Sequence, residues 1–257
     1  MSDKRQYYVQ RLFSNIARDY DRLNQIISFG LHHKWRKFAI SKALLKPTDL
    51  ILDLCCGTGD CGICAAKENP QVKVIGIDFC DEMLEIGRKK IEKSGLEERI
   101  ELKKQDISSL SFADNTFDVV TIGFGLRHLN IDEVFKEINR ILKPGGRLIT
   151  LDAGRPENIL IKGGHKIYFY HVLPLLGKIF HGNKEPYSYL PQSLDLYLPD
   201  KEQLKVLMEK AGFVAVQYFD LSFGVATVHL GFKVNNDNRS GYSHRVTENT
   251  EGIYNHE

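Results

Sequence analysis

The sequence predicts an α/β protein: a mostly parallel sheet with helices on both faces, finished by an antiparallel strand pair. Three observations carry this. Between residues 50 and 152, short apolar runs alternate with segments of helical period, the order of a sheet built from strand–helix–strand units. The first run passes into a glycine-containing turn at 57–59 and then a helix, the geometry found at the carboxyl edge of such sheets. Near the end, two strand-like runs are separated only by Phe223 and Gly224, too little chain for a crossover, so they must pair antiparallel.

The elements follow in order. Residues 7–45 read as two helical stretches, YYVQRLFSNIARDY and HHKWRKFAISKALL, broken at Phe29-Gly30, and residues 1–45 are assigned to a helical lid. LILDL (50–54) is an apolar run with one acid, suited to a strand covered on both faces. ICAAKEN is a short helix, VKVIGID (72–78) a second strand, and DEMLEIGRKKIEKSG (81–95) a helix stopped by Gly95. IELKKQD (100–106), FDVVTIG (117–123) and GRLITLD (146–152) are further strands. Before the last of them, Val134, Phe135, Ile138, Ile141 and Leu142 share one face of a helix that stops at Pro144-Gly145-Gly146. Residues 46–153 thus form the core. Residues 154–200, too long for a bare loop, are a helical insertion whose apolar stretch at 166–180 suits a substrate wall. A helix (KEQLKVLMEKAGF) and the strands at 213–222 and 225–233 return to the core over 201–233. Residues 234–257 are polar and unpatterned, as in a disordered tail.

Composition narrows the class. With 257 residues, 42% apolar and 26% charged, the chain suffices for one large core or a core plus a small subdomain. Thirty-five Lys+Arg against 33 Asp+Glu leave +2, which gives no support to binding nucleic acid by bulk phosphate attraction. Met1–Arg11 lacks an apolar core and no window reaches a membrane-spanning length, so neither a secretory signal nor a spanning helix is expected. Five cysteines crowded between Cys55 and Cys80 are not a disulfide framework and fit a reducing, cytoplasmic setting. Cys61-x-x-Cys64 lies within the first core helix with no second pair, so packing is the expected role and no metal site is predicted.

The chemistry concentrates at Asp53-Leu54-Cys55-Cys56-Gly57-Thr58-Gly59-Asp60. Gly57 and Gly59 let the backbone turn tightly and let a ligand approach. Asp78 ends the second strand 21 residues after Gly57, where an acid accepts hydrogen bonds from both ribose hydroxyls of a nucleoside cofactor. Gly57, Gly59 and Gly62 also match dinucleotide spacing, yet Asp60 sets a carboxylate where a pyrophosphate would lie. S-adenosylmethionine, with an ammonium, a sulfonium and no phosphate, fits better. Asp53 offers a second acceptor towards its methionine end, and Asp106 stands at the level of the adenine amine. Phe79 and Met83, just after Asp78, are counted with these cofactor positions.

On these residues the chain resembles class I S-adenosylmethionine-dependent methyltransferases, and within them the ubiquinone/menaquinone biosynthesis C-methyltransferase family. YDRLNQIISFGLHHKW (20–35), DLCCGTGD (53–60), DNTFDVVTIGFGLRHLN (114–130) and RILKPGGRLITLD (140–152) carry the likeness, which extends over residues 8–233. It implies a Rossmann-like fold of seven strands, the last antiparallel. It also implies cofactor roles for Thr58, Asp78, Asp106 with Ile107, and Gly123. Arg127 matches an arginine that assists deprotonation of the quinol; a group that stays protonated is better cast as stabiliser of the developing phenolate. His128 stands where the family has Asn, and is either the base or a loop histidine bonded to backbone. Tyr20 and Asp21 either close over the cofactor or pack a helix.

Substrate positions depart from the family's pattern: Asp152 replaces Glu, Gly154 replaces Ser, and Leu194-Asp195 replaces Ile-Arg, while Tyr187 and Tyr189 are kept. Asp152, Tyr187, Tyr189 and Asp195 are therefore the candidate acceptor contacts. The leading expectation is ring methylation of demethylmenaquinol or a related polyprenyl quinol. The rival is another small aromatic or soluble metabolite on the same scaffold, and an inactive cofactor-binding scaffold or a nicotinamide dehydrogenase stand further off. The expected partners are a lipophilic quinol, transient contact with a membrane surface (the inner face) and a homodimer, with no nucleic acid.

Overall fold

A computed structural model describes residues 3–107, 110–181 and 185–235. The chain opens with α1 (Asp3–Ile16), a single 3-10 turn, α2 (Tyr20–Ile27) and α3 (Leu31–Lys42). The alternating core follows as β1 (Leu50–Leu54), α4 (Asp60–Glu68), β2 (Lys73–Asp78), α5 (Asp81–Lys93), β3 (Ile100–Lys104), β4 (Phe117–Gly123), α6 (Ile131–Ile141) and β5 (Leu142–Ala153). The insertion is α7 (Ile159–Ile167), one π-helical turn, α8 (Leu173–His181) and α9 (Glu185–Tyr197), after which come α10 (Lys201–Lys210), β6 (Phe213–Leu221) and β7 (Ala226–Lys233). The tail from residue 236 onward lies outside the described residues.

Among the described residues seven strands form one sheet, ordered β3-β2-β1-β4-β5-β7-β6. β1 to β5 run parallel, and β7 is antiparallel to both its neighbours. This is the seven-stranded Rossmann-like class I methyltransferase sheet that the resemblance implies, closed by the antiparallel pair that the residue pattern predicts.

Alternation along each strand splits the core between two faces. Ile51, Val74, Val119 and Ile149 join Trp35, Ala39 and Ile40 of α3 and the buried sides of α4 and α5. Leu52, Leu54, Val120 and Leu148 join Phe135, Ile138 and Ile141 of α6 and Leu204 and Met208 of α10. α3 thus packs one side into the first layer through Trp35, Ala39 and Ile40, which ties the N-terminal helices to the core.

β5 also starts earlier than the Pro-Gly-Gly signal suggests. Leu142 pairs with Phe117, and the ladder resumes only at Val119 and Arg147. Pro144 has no N–H to offer a ladder, so the intervening residues bulge out instead of ending the strand.

Candidate active site

The glycine turn after β1 is held from three sides. The Gly57 N–H donates to Asp78 Oδ2 at 2.8 Å, and the Cys80 N–H donates to Asp78 Oδ1 at 3.0 Å. The Gly59 N–H donates to the Cys56 carbonyl at 2.8 Å. Gly59 caps α4 at φ +79°, a left-handed conformation that suits glycine. Asp53 reaches under the turn, where Oδ1 accepts from the Thr121 hydroxyl at 2.7 Å and Oδ2 from the Gly62 N–H at 3.2 Å. Burial, against those two hydrogen bonds, pushes its pKa up to about 7. With 1% exposure and both oxygens engaged, Asp53 staples β1 to β4 and α4.

Asp60 has two cationic partners from other helices. Its carboxylate is not an open negative charge: Arg36 Nη2 stands 3.1 Å away, and Lys90 Nζ donates to the other oxygen. Burial alone would raise its pKa, but the two cations hold it below the ordinary carboxylate range. Lys90 also donates to Asp21 Oδ2 at 2.7 Å and to Thr58 Oγ1 at 3.0 Å, while the Thr58 hydroxyl donates to Asp21 Oδ1 at 2.7 Å. One ionic knot thus ties α2, α3 and α5 to the glycine turn. Arg36 and Lys90 escaped sequence reasoning. The available signals were the cation beside Trp35, and Lys90 lying two helical turns beyond Met83 on the same face.

What the turn can hold follows from its free groups. The Gly57 and Gly59 amides, which a phosphate nest would use, are spent inside the protein. Asp78, 7% exposed, accepts from the backbone N–H groups of Gly57, Cys80 and Phe79 and keeps acceptor capacity that suits a ribose hydroxyl. At the end of β4 a Cβ on Gly123 would meet Cys61 Sγ at 2.7 Å, so the backbone there stays bare. Burial raises the thiols of Cys55, Cys56 and Cys61 well above their usual value, as expected of packing residues. Met83 is buried with Phe79, Ala17 and Tyr20 around it. Asp106 is exposed just beyond β3, and Ile107 is buried against the second core face. A phosphate-free nucleoside such as S-adenosylmethionine fits this donor set.

Beside the turn lies a cavity of about 390 Å³, walled by α1 to α3 on one side and the insertion on the other. Leu12, Phe13, Leu23, Trp35, Phe124 and Phe169 make most of it apolar. Tyr20 lines it too, and burial raises its hydroxyl above the usual tyrosine value. Arg127 stands in the wall, on a 3-10 turn after β4. Its Nη1 donates to the Phe124 carbonyl at 2.7 Å and to Asp152 Oδ1 at 3.0 Å, while Nε has no partner among the described residues. Asp152 additionally accepts from the Leu126 N–H at 3.2 Å and the Ala153 N–H at 2.8 Å. It is 4% exposed, behind Arg127. It therefore positions the guanidinium, which corrects its assignment as an acceptor contact.

His128 is buried, with Nδ1 3.3 Å from the Tyr189 hydroxyl and the two rings stacked at 5.8 Å. Burial, then the charges of Arg127 and Arg5, lower its pKa well below the ordinary histidine value. Tyr187 and Tyr189 both line the cavity. The Tyr187 hydroxyl has no partner among the described residues, and burial pushes its pKa up to about 12. Asp195 lies outside this cavity: it is exposed on α9 and accepts from the Tyr170 hydroxyl. α1 spans both halves of the site. Gln10 donates to the Phe79 carbonyl, Arg5 to the Arg127 carbonyl, and Phe13 packs edge-on against His128 at 5.4 Å.

Comparison with known proteins gives a consistent result. The model of the ubiE/COQ5 methyltransferase family matches residues 1–233. A protein of Staphylococcus aureus named demethylmenaquinone methyltransferase is 43% identical over 235 residues, covering 91% of this chain and 95% of its own. Among solved structures, the [4+2]-cyclase SpnF superposes with a TM-score of 0.65 at 17% identity, over 88% of this chain and 95% of its own. The Haemonchus contortus phosphoethanolamine N-methyltransferase 2, solved with S-adenosyl-L-methionine, gives 0.58 at 18% identity, over 77% and 52%. At those identities the structures attest the fold alone.

Proposed function

This chain belongs to the ubiE/COQ5 methyltransferase family and is an S-adenosylmethionine-dependent methyltransferase, and from that premise we propose that it methylates a ring carbon of a polyprenylated quinol, demethylmenaquinol. The observation that carries the reading is the apolar cavity with Arg127 in its wall. Each methylene moved from water onto such a surface contributes about 0.8 kcal/mol, so the cavity favours a lipophilic acceptor. Its unpartnered polar groups, Arg127 Nε, Arg36 Nε and the Tyr187 hydroxyl, suit a flat ring bearing two oxygens. The relative's name supports the same acceptor.

In this reading Asp78 would receive the ribose hydroxyls, Asp106 and Ile107 would border the adenine, and Phe79 and Met83 would pack on the nucleoside. Thr58 and the bare backbone at Gly123 would face the methionine end. When bound, the cofactor would supply an electrophilic methyl group on a sulfonium, with a neutral thioether as its leaving group. The residues of this chain prepare the acceptor. A phenolic hydroxyl titrates near about 10, and a neighbouring fixed cation makes its ionisation easier. Arg127 is that cation, held by Asp152 and the Phe124 carbonyl against the cavity. An aligned donor of this kind contributes about 3 kcal/mol to stabilising a developing oxyanion. Ionisation, with the hydroxyl proton leaving to solvent as the acceptor enters, enriches the adjacent ring carbon towards the methyl group the cofactor would supply, and the ring proton lost in restoring aromaticity leaves to solvent with the product. His128, held neutral and weakly basic, gains little from taking the hydroxyl proton; its part is to carry Tyr189. α1 and Phe13 keep water out.

The test compares oxidation states. With methyl-labelled cofactor and a short-tailed demethylmenaquinone, chemically reduced or left oxidised, label should enter the ring only in the reduced arm. Equal label in both arms, or label on oxygen, would refute phenolate activation.

A further inference from the structure

We propose that the outer face of α7 and α8, together with Phe29 and Phe223, is a docking surface for an anionic lipid bilayer, placed where the cavity opens. The inference rests on the reading of the acceptor as a polyprenylated quinol and adds the surface through which such a molecule is collected. Its first support is charge. Residues 158–181 contain no Asp or Glu, yet carry Lys162, Lys166 and Lys178 with three histidines, in a chain whose overall charge is only +2. No ion pair engages Lys162, Lys166 or Lys178 among the described residues, and all three are exposed. The nearby acids are already committed: Glu157 to Lys201, Glu185 to Arg11, and Asp195 to Tyr170.

The second support is exposed apolar surface on the same segment. Ile159 and Leu160 are 83% and 82% exposed, and Ile167 and Leu175 61% and 56%. Leu160, Gly163 and Ile167 recur at helical spacing, and a Cβ on Gly163 would meet nothing within 4 Å. The other side of the same helix, through Ile161, Gly164 and His165, lines the cavity. One helix thus presents an apolar side to the acceptor and another outward, flanked by lysines.

The third support is convergence at the mouth. Phe29 lines the cavity yet is 79% exposed, its ring 6.0 Å from that of Tyr168. Phe223, 80% exposed, follows the cavity-lining Ser222. Exposed apolar side chains from three distant parts of the chain therefore stand on, or next in sequence to, residues that line one cavity. Scattered exposed apolar residues need no explanation, but a patch rimmed by cations at a lipophilic cavity does. No described helix is long and apolar enough to cross a membrane. The pattern is that of an interfacial helix, with apolar residues in the headgroup boundary and lysines against anionic lipid.

The experiment uses the full chain and vesicles of phosphatidylcholine, with or without phosphatidylglycerol and without quinol. The protein should float with the phosphatidylglycerol vesicles, less so at high salt, and poorly with neutral ones. Ile159→Ser with Leu160→Ser, and separately Lys162→Glu with Lys166→Glu, should each weaken partitioning roughly tenfold. Both double variants should keep the wild-type rate on a short-tailed quinol in solution and lose rate on a long-tailed quinol offered in vesicles. Wild-type protein that ignores anionic vesicles, or variants that bind them equally well, would overturn the proposal. So would a dimer in sedimentation that the variants dissolve, since the face would then join two copies. Vesicle binding as expected with no transfer to the short-tailed quinol would support the surface and sink the acceptor reading.

Discussion

Replacing Asp152 by Asn tests whether Arg127 acts from a fixed position. Asp152 receives three donors, from Arg127 Nη1, Leu126 N–H and Ala153 N–H, and the ion pair is buried, with side chains 8% and 5% exposed. Asn keeps the shape and one acceptor oxygen but removes the charge and turns an NH2 group towards donors. Breaking a buried pair by removing one partner costs about 3–5 kcal/mol, and the isosteric change should fall near the lower end. The same loss frees the guanidinium to move off the developing oxyanion, a stabilisation of about 3 kcal/mol, which corresponds to a kcat lowered roughly 100-fold. Steady-state kinetics on reduced acceptor, with thermal unfolding alongside, separates the two effects. KM for the cofactor should stay within about twofold, because the hydrogen-bond partners of Asp152 are Arg127, Leu126 and Ala153 and none belongs to the glycine turn. Asp152→Glu, which keeps the charge, should recover most of kcat. If Asp152→Asn unfolds earlier but keeps wild-type kcat, the positioning argument is wrong.

Further consequences follow from other contacts. Tyr187→Phe removes a buried hydroxyl that has no partner in the protein, so thermal stability should hold or rise by about 1 kcal/mol while KM for the acceptor increases roughly fivefold. An unchanged KM would show that the hydroxyl does not meet the acceptor. Asp21→Asn loosens the knot on Thr58 and Lys90, and calorimetry should find cofactor affinity lowered roughly fivefold and less dependent on salt than in the wild type. Because burial and two arginines lower the pKa of His128 well below 6.5, its imidazole is neutral in the fold. The sign is fixed: the folded state binds fewer protons than the unfolded, so stability from this group is present above 6.5 and is lost as pH falls towards the lower folded value. His128→Asn should remove that part of the acid destabilisation and leave the acid limb of the kcat profile where it was. A limb that disappears with the imidazole would make His128 the base after all.

Much of the architecture was legible because it is local. The apolar runs of β1, β2 and β4, the helical faces of α5 and α6, and the short Phe223-Gly224 link each depend on neighbours within a few residues. The glycine turn and Asp78 were readable because a fixed spacing sets them at one edge of the sheet. What escaped depends on distant partners. Asp60 reads as a bare carboxylate until Arg36 and Lys90 close on it from other helices. Asp152 reads as an acceptor contact until the fold puts Arg127 between it and the cavity. Asp195 sits in a substrate-like stretch of sequence, yet the turn of α9 points it to Tyr170 and solvent. The outward face of α7 was equally hidden, since apolar residues at 159, 160 and 167 look the same whether a core or water covers them.

The central claim is that the cavity takes a reduced, prenylated ring and that Arg127 activates it. Its most direct measurement is mass-resolved turnover with labelled cofactor and three matched acceptors: a short-tailed demethylmenaquinol, the corresponding benzoquinol, and a soluble aromatic without a tail. The account predicts one methyl group on a ring carbon of the naphthoquinol, less or none on the benzoquinol, none on the soluble aromatic, and a large loss of rate in Arg127→Gln. Tight cofactor binding with methyl transfer only to the soluble aromatic would contradict it.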